Sequence, residues 1–414
     1  MAQQHSVIII GAGPAGLSLA CSLAQAGLHA TIIEKQPREA LADPAYDGRE
    51  IALTHLSVEL MRQLGIWQLI PDDEIGLIKK AQVQDGVSPY SLDFDHRQNN
   101  LEALGYLVSN HLIRKAVFAQ ADSLDNIDIL TGITVEAVRT DAQQASVTLS
   151  DGPVLQAALA VAADSRFSET RRKMGISASM HDFGRVAIVS RMSHARSNEQ
   201  TAFECFQYGG TLAILPVSAQ LSSFVVTASG KQAQALLALS DDDYRNEIRK
   251  RLGSRLGDMT VASERFAYPL VGVHADRFID QRFALIGDAA VGMHPVTAHG
   301  FNLGLRGQNT LTKAIIAAAS RGQDIGAPQV LQQYQRQHRL ATLPMYYGTN
   351  GIVKLFTSES PPAKLLRQAV LRISNNLPPL KWAITRKLTE VGGSALSPLK
   401  STRSIPQPQH DSRP

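Results

Sequence analysis

Cysteine is nearly missing from this chain of 414 residues: there are two, Cys21 and Cys205, and neither belongs to a CxxC pair. That excludes a disulfide framework, a zinc knuckle and a dithiol redox centre, and it points to a reducing cytoplasm. Long apolar runs are missing too. The stretch from Val7 to Leu23 comes nearest, but Gly11, Gly13, Pro14 and Gly16 interrupt it and no Lys or Arg precedes it, so it reads neither as a secretion signal nor as a membrane span. GxSxG and P-loop motifs do not occur, which removes the hydrolase and NTPase readings. With 44% hydrophobic and 19% charged residues, what is left is a globular chain with room for two or three domains and a large core.

Charge is unevenly placed. Pro344 to Pro414 holds ten Lys and Arg against three Asp and Glu, +7, so the preceding residues carry −3 of the overall +4. Within that segment Leu365, Leu366, Ala369, Val370 and Ile373 fall on one helical stripe, with Lys364, Arg367 and Arg372 largely outside it. A second short piece after Leu377-Pro378-Pro379 places Trp382, Ile384 and Leu388 among Lys381, Arg386 and Lys387. Two readings of this basic helical segment (341–396) stand: association with an anionic bilayer surface or with a partner, and simple packing on its own protein with a solvated face. A nucleic-acid partner is not expected, because aromatics are not interleaved with the charges and no finger, RRM or helix-turn-helix signature is present. Residues 397–414, rich in Ser, Pro and Gln, read as a disordered tail.

The N-terminus carries chemistry. Val7 to Ile10 is a β-branched run followed by Gly11-Ala12-Gly13-Pro14-Ala15-Gly16 and then a helical pattern at Leu17, Ala20, Leu23 and Ala24. Gly11 permits the tight turn, Gly13 lets backbone approach a pyrophosphate, and Gly16 lets helix and strand pack closely. A second strand, Ala30 to Ile33, ends at Glu34, whose carboxylate can accept ribose hydroxyls; Lys35 follows it. This is a dinucleotide site that fits FAD or NAD(P) alike. With no second GxGxxG, separate Rossmann domains for two such cofactors are not expected.

Two later motifs form a second ligand edge. An apolar stretch, Leu155 to Ala163, ends at Asp164-Ser165-Arg166; Arg282 to Ala290 reads as a strand delivering Asp288 at its carboxyl end. His294-Pro295 and then His299-Gly300-Phe301-Asn302-Leu303-Gly304 follow, the latter opening a helix. Five-residue spacing through a proline makes His294 and His299 poor metal ligands, and no metal is expected. Cys205 reads as a buried thiol, and Arg171 and Arg172 as solvated or locally paired charges.

This combination, with Ala202-Phe203-Glu204, Gly209 to Pro216 and Tyr268-Pro269-Leu270 in order between the motifs, resembles the FAD-dependent ubiquinone-biosynthesis hydroxylases. These are flavoprotein monooxygenases of the para-hydroxybenzoate hydroxylase type, and within them the likeness is to the 5-demethoxyubiquinol 5-hydroxylase branch. It runs from about Ser6 to about Arg386. The resemblance implies an α/β fold: a discontinuous Rossmann-type FAD-binding domain (1–75, 101–180, 276–340), an inserted mostly β substrate domain (76–100, 181–275), and C-terminal helices. It implies that Gly11, Gly13, Ala15, Gly16, Glu34 and Lys35 hold the ADP half of FAD, with Arg49 near the pyrophosphate and Asn110 a polar flavin contact. Asp164 and Asp288 would bind farther along, Asp288 at the ribityl hydroxyls. The helix at Gly300, Phe301 and Asn302 would offer backbone N–H groups to the anionic end of the reduced ring. His294, Pro295 and His299 would position flavin and substrate, with no covalent nucleophile.

The chemistry implied is NAD(P)H reduction of FAD, O2 addition at flavin C4a, and attack of an electron-rich ring on the distal peroxide oxygen. The product would be a prenylated ubiquinone precursor hydroxylated at C5, on a cytoplasmic enzyme peripheral to the inner face of the membrane or docked in a quinone-biosynthesis complex. The apolar strand Thr211 to Pro216 would floor the substrate cavity. Alternatives on the same fold are a flavin oxidase, dehydrogenase or prenyl reductase, and a flavin-bearing assembly subunit. Three positions depart from the family pattern: Ser165 for Gly, His299 for Gln and Gly307 for an acid.

Overall fold

The computed structural model describes residues 6–86, 91–207, 210–253, 255–294, 299–358 and 360–391. Its first layer grows from the N-terminal apolar run. Ser6–Ile10 pairs in parallel with His29–Glu34 on one side and Leu159–Ala162 on the other, and its apolar residues are buried. Continuous β-branched sequence is what a strand covered on both faces requires. The six-stranded sheet runs Ile279–Asp280, Phe283–Leu285, Leu159–Ala162, Ser6–Ile10, His29–Glu34, Ile127–Thr131. Only the first pair is antiparallel. The parallel strands therefore end at one edge, which brings Gly11, Glu34, Asp164 and Asp288 together from four distant stretches of sequence. Helices Pro14–Gln25, Asn110–Asp122 and Gly300–Ala319 pack beside the sheet. A three-stranded antiparallel sheet, Val135–Thr140, Ala145–Leu149 and Val154–Ala157, adjoins it.

The second layer is a nine-stranded sheet built mainly from antiparallel pairs within residues 178–275. At its edge Thr201–Gln207 pairs in parallel with Lys80–Asp85, which forms a hairpin with Ser91–Asp95. Gly76–Ile78 belongs elsewhere, antiparallel to Gly105–Ser109. The sheet's two faces follow from strict alternation. Phe203, Cys205, Leu212, Ile214, Phe224 and Val226 pack into a second core with Tyr244 and Ile248 of the helix Asp241–Leu252. Glu204, Thr211, Ala213, Leu215, Val225 and Thr227 take the opposite face.

Two sequence expectations change. The strand expected over 282–290 is only Phe283–Leu285; Asp288 is carried by a 3-10 turn, Gly287–Ala289, with Gly287 at φ +57°. The C-terminal helices Pro361–Asn376 and Pro378–Thr389 form as expected, but of the two readings of the first, simple packing with a solvated basic face does not describe Arg367. Arg367 is buried, pairing with Asp85 at 3.2 Å and donating to the Phe356 and Ser358 carbonyls at 2.8 and 2.9 Å. Those carbonyls close the end of Pro328–Thr357, which gives an inward guanidinium enough partners to stay there. Leu366, Val370 and Ile373 consequently face outward. The tail 397–414 lies outside the described residues.

Candidate functional site

The nucleotide end is shaped by glycines that nothing else can replace. Gly11 sits at φ +109° with a would-be Cβ 2.6 Å from the Ala163 carbonyl oxygen, and a Cβ on Gly16 would stand 2.1 Å from the Gly11 oxygen. Gly13 is different. A Cβ there would meet only the Ala163 oxygen, 4.0 Å away, so protein packing does not demand glycine and the loop leaves open space toward the cavity it lines. Glu34 accepts from the Ala12 N–H at 2.8 Å and the Gln36 N–H at 2.9 Å. A carboxylate has about four acceptor positions, so capacity for ribose hydroxyls remains. Lys35 and Ala15 line the same cavity.

Farther along, Asp288 and Arg166 form an ion pair at 2.9 Å through Asp288 Oδ2, and Arg166 also donates to the Val271 carbonyl at 3.1 Å. The sequence carries no spacing signal for Arg166, which stands between Ser165 and Phe167. Asp164 accepts from the Ser168 hydroxyl and from the Thr170 N–H at 3.1 Å, which turns the loop back into the helix Glu169–Lys173. Arg171 is not a solvated charge. It is buried and donates to the Arg166 and Ala289 carbonyls at 3.2 and 2.9 Å, tying the Asp164 loop to the Asp288 turn.

A second polar group meets the cavity from the side. Arg49 pairs with Asp47 at 2.5 Å and lies over the Tyr268 ring at 5.4 Å; Asn110 donates to the same Asp47 carboxylate at 2.8 Å. Asp47 is pulled toward a charged carboxylate against the cost of its burial by the Arg49 and Asn110 bonds. Beside it, Glu50 pairs with Arg191 at 2.7 Å and accepts from Ser109 at 2.9 Å, yet burial still raises its pKa.

The helix Gly300–Ala319 points its N-terminus at this cavity, which Gly300, Phe301 and Gly304 line; nothing lies within 4 Å of a Cβ built on Gly300. Asn302 is placed otherwise. Its side chain is buried, donating to the Ala52 carbonyl at 2.9 Å and accepting from the Thr54 N–H at 3.1 Å, so it braces the helix against Glu50–Leu53 and the following helix. His294 is buried against Phe183, ring centroids 4.6 Å apart, and burial drops its pKa to about 4, so it is neutral near pH 7. His299 is buried at the start of the Gly300 helix; Pro295 lies outside the described residues.

Two of the family departures find physical reasons. Ser165 holds φ +97°, so the backbone shape natural to glycine is kept at the expense of strain. Gly307 faces the His338 ring, whose Cε1 would be 2.7 Å from a Cβ, leaving no room for an acid.

Gly11, Gly13, Glu34, Arg49, Glu50, Asn110, Asp164, Arg166, Asp288, His294 and Gly300 border one cavity of about 900 Å³. It runs from Glu34 and the glycine loop, past Asp288 and the Gly300 helix, to Ala213, Leu215 and Val225 on the large sheet. A second cavity of about 470 Å³, between that sheet and the helix Pro328–Thr357, shares Thr211, Thr227 and His294 with the first. Open space at Gly13 and Gly300, spare acceptors on Glu34, and a helix N-terminus at the far end fit a long dinucleotide with a flavin ring at the sheet side. Among the described residues no His, Cys, Asp and Glu cluster could hold a metal, and no helix is long and apolar enough to cross a membrane.

The profile of the FAD binding domain family matches residues 4–343. The chain is 50% identical over 393 residues to ubiquinone hydroxylase UbiM of Neisseria meningitidis, covering 94% of this chain and 85% of that protein. It is 34% identical to ubiquinone hydroxylase UbiL of Rhodospirillum rubrum, covering 97% and 93%. Identity to the 3-demethoxyubiquinol 3-hydroxylase of Escherichia coli is 26%, covering 92% and 97%. Among solved structures, p-nitrophenol 4-monooxygenase PnpA of Pseudomonas putida superimposes with a TM-score of 0.74 at 18% identity, over 92% of this chain and 98% of that one.

Proposed function

The chain belongs to the FAD-dependent ubiquinone hydroxylases, and from that premise we propose that it hydroxylates C5 of a prenylated 5-demethoxyubiquinol-type ring with NAD(P)H and O2 as co-substrates. The observation that carries the reading is the single cavity joining a nucleotide loop to an apolar sheet wall. The chemistry that FAD supplies when bound is acceptance of a hydride and delivery of one oxygen atom to the ring.

The protein's share is placement and exclusion. Gly11, Gly13, Ala15, Gly16, Glu34 and Lys35 would hold the adenosine half, with Arg49 and Asn110 along the side and Asp164 and Asp288 beyond. Arg166 would fix Asp288 Oδ2 and leave Oδ1 to a ribityl hydroxyl. The N-terminal N–H groups at Gly300 and Phe301 would stabilise negative charge on the reduced ring. Ala213, Leu215 and Val225 would press an uncharged ring toward it and keep water out. Buried neutral His294, on the wall common to both cavities, would orient the ring rather than carry charge, together with His299 and Pro295. The second cavity, with Phe183, Phe206, Leu270 and Val353 on its walls, suits the start of a prenyl chain.

In the same reading the C-terminal helices rest on an anionic bilayer surface from which the prenylated ring is drawn. Leu366, Val370, Ile373, Leu377, Trp382 and Leu388 are exposed, with Arg386 and Lys387 beside them. That mixture of apolar and basic groups is what interfacial binding needs. The test is direct: FAD-loaded protein should oxidise NADH or NADPH faster when the prenylated quinol is added, and mass spectrometry should find a product one oxygen heavier. Consumption of NAD(P)H that yields only peroxide would favour an oxidase, and tight FAD binding without stimulated turnover would favour an assembly subunit.

A further inference from the structure

Glu204 is an acid among residues of the large sheet that line the cavity and are otherwise uncharged. It lies opposite Ala213 on the neighbouring strand, on the face that lines the cavity, while its neighbours Phe203 and Cys205 enter the second core. Around it the wall is Thr211, Ala213, Leu215, Val225 and Thr227. The hydroxyls there are ordered: Thr227 Oγ1 accepts from the Thr211 N–H at 2.7 Å and donates to Thr211 Oγ1 at 3.1 Å, which leaves the Thr211 proton free to turn to Glu204. Glu204 Oε1 has no hydrogen-bond partner and no solvent. Burial pushes the carboxyl up to about 8, with the Thr211 hydroxyl opposing, and no charge contributes. Near pH 7 it is therefore mainly the neutral acid, which carries a donor as well as acceptors.

A half-satisfied acid in an apolar wall costs folding stability, so its presence asks for a ligand. We propose that Glu204 is a specificity-determining residue, one that donates a hydrogen bond to a ring oxygen of the uncharged aromatic substrate and turns away rings bearing a carboxylate. No cation is paired with Glu204, so a carboxylate brought against it would be forced against a second acid. A neutral phenol or quinol oxygen supplies the acceptor that Glu204 lacks and leaves no charge buried. The inference rests on the ring occupying this cavity, as proposed above.

The titratable groups nearby do not disturb this arrangement. Cys205, on the opposite face, has its thiol pushed up to about 11 by burial, and Asp85 on the adjacent strand is neutralised by Arg367. Buried His294 is neutral. Across the adjoining cavity stand His181, Asp182, Arg185 and Lys354, and farther toward the flavin end Arg49 and the Glu50–Arg191 pair.

The experiment uses FAD-loaded full-length enzyme, 3-prenylphenol and 3-prenyl-4-hydroxybenzoate as probes, and the perturbation of flavin absorbance as the binding signal. Wild type should bind the phenol at least tenfold more tightly than the benzoate, and phenol binding should weaken as pH rises through about 8, where the acid ionises. Glu204→Gln, which keeps the donor and the shape, should hold phenol affinity within about threefold and lose the pH dependence. Glu204→Leu should lose tenfold or more with FAD content unchanged. Equal affinity of wild type for the two probes, or unchanged phenol binding in Glu204→Leu with the pH dependence retained, would overturn the assignment while leaving hydroxylation intact. Failure of wild type to bind any phenol would instead overturn the placement of the ring, and the role of Glu204 with it.

Discussion

The two ends of the cavity are made in different ways. At the nucleotide end, Gly11, Gly16 and Glu34 act through backbone shape and backbone N–H groups, and the elements that hold them are consecutive in sequence. At the sheet end, Glu204, Thr211, Ala213, Val225 and Thr227 meet only because three strands pair in register. The first end tolerates almost no change of residue, since space is set by main chain. The second is a surface of side chains, where substitution alters the ligand rather than the fold. That difference suits an enzyme that shares its cofactor with relatives and must choose its own ring.

The comparison is broken most forcefully at the first end. Gly16→Val places carbon atoms onto the Gly11 carbonyl, and a loss of at least about 3 kcal/mol is expected, with FAD content and thermal unfolding both showing it. Val225→Ala, on the sheet wall, should by contrast leave FAD content unchanged and alter only ring affinity. Asp288→Ala strips Arg166 of its partner and the proposed ribityl site of its acceptor; FAD retention should fall by about 2 kcal/mol, roughly thirtyfold, read as flavin lost on dialysis.

A third contrast is set by pH. Burial lowers His338 to about 3 and His294 to about 4, against 6.5 for an exposed ring. The unfolded chain therefore binds more protons below pH 6.5, and stability falls as pH drops through that window, by up to about 1.4 kcal/mol per pH unit for each ring. Denaturant melts at pH 7 and pH 5 should show it, and His338→Phe should reduce the difference. The smallest effect belongs to Ser165. Glycine there relieves the strain of φ +97° and pays some chain entropy, so Ser165→Gly should gain about 1 kcal/mol in a melting experiment.

What was legible in the sequence follows the same division. The glycine loop, Glu34 and the Gly300 helix are local patterns, and the backbone obeys them. The resemblance and the apolar character of Thr211 to Pro216 suggest a cavity floor, and Thr211, Ala213 and Leu215 of that stretch line the cavity. Long-range partners were not legible. Nothing near Arg166 announces Asp288, nothing near Arg171 announces the Ala289 carbonyl, and nothing in the stripe Leu366, Val370, Ile373 announces that Arg367 pairs with Asp85 and two helix-end carbonyls. Asn302 reads as a cofactor residue through the backbone at the helix start; that its side-chain amide joins the Ala52 carbonyl and the Thr54 N–H is not announced by the motif. In each case a charged or amide side chain chose a partner that periodicity does not record.

The central claim, that one cavity joins the flavin to a ring it hydroxylates, is tested most directly with isotope. FAD-loaded enzyme, NAD(P)H and a prenylated 5-demethoxyubiquinol would be incubated under ¹⁸O₂ and the product fragmented in the mass spectrometer. One ¹⁸O at ring C5 is the predicted result. Label at another ring carbon would contradict the position, and NAD(P)H consumed with no labelled ring at all would contradict hydroxylation itself.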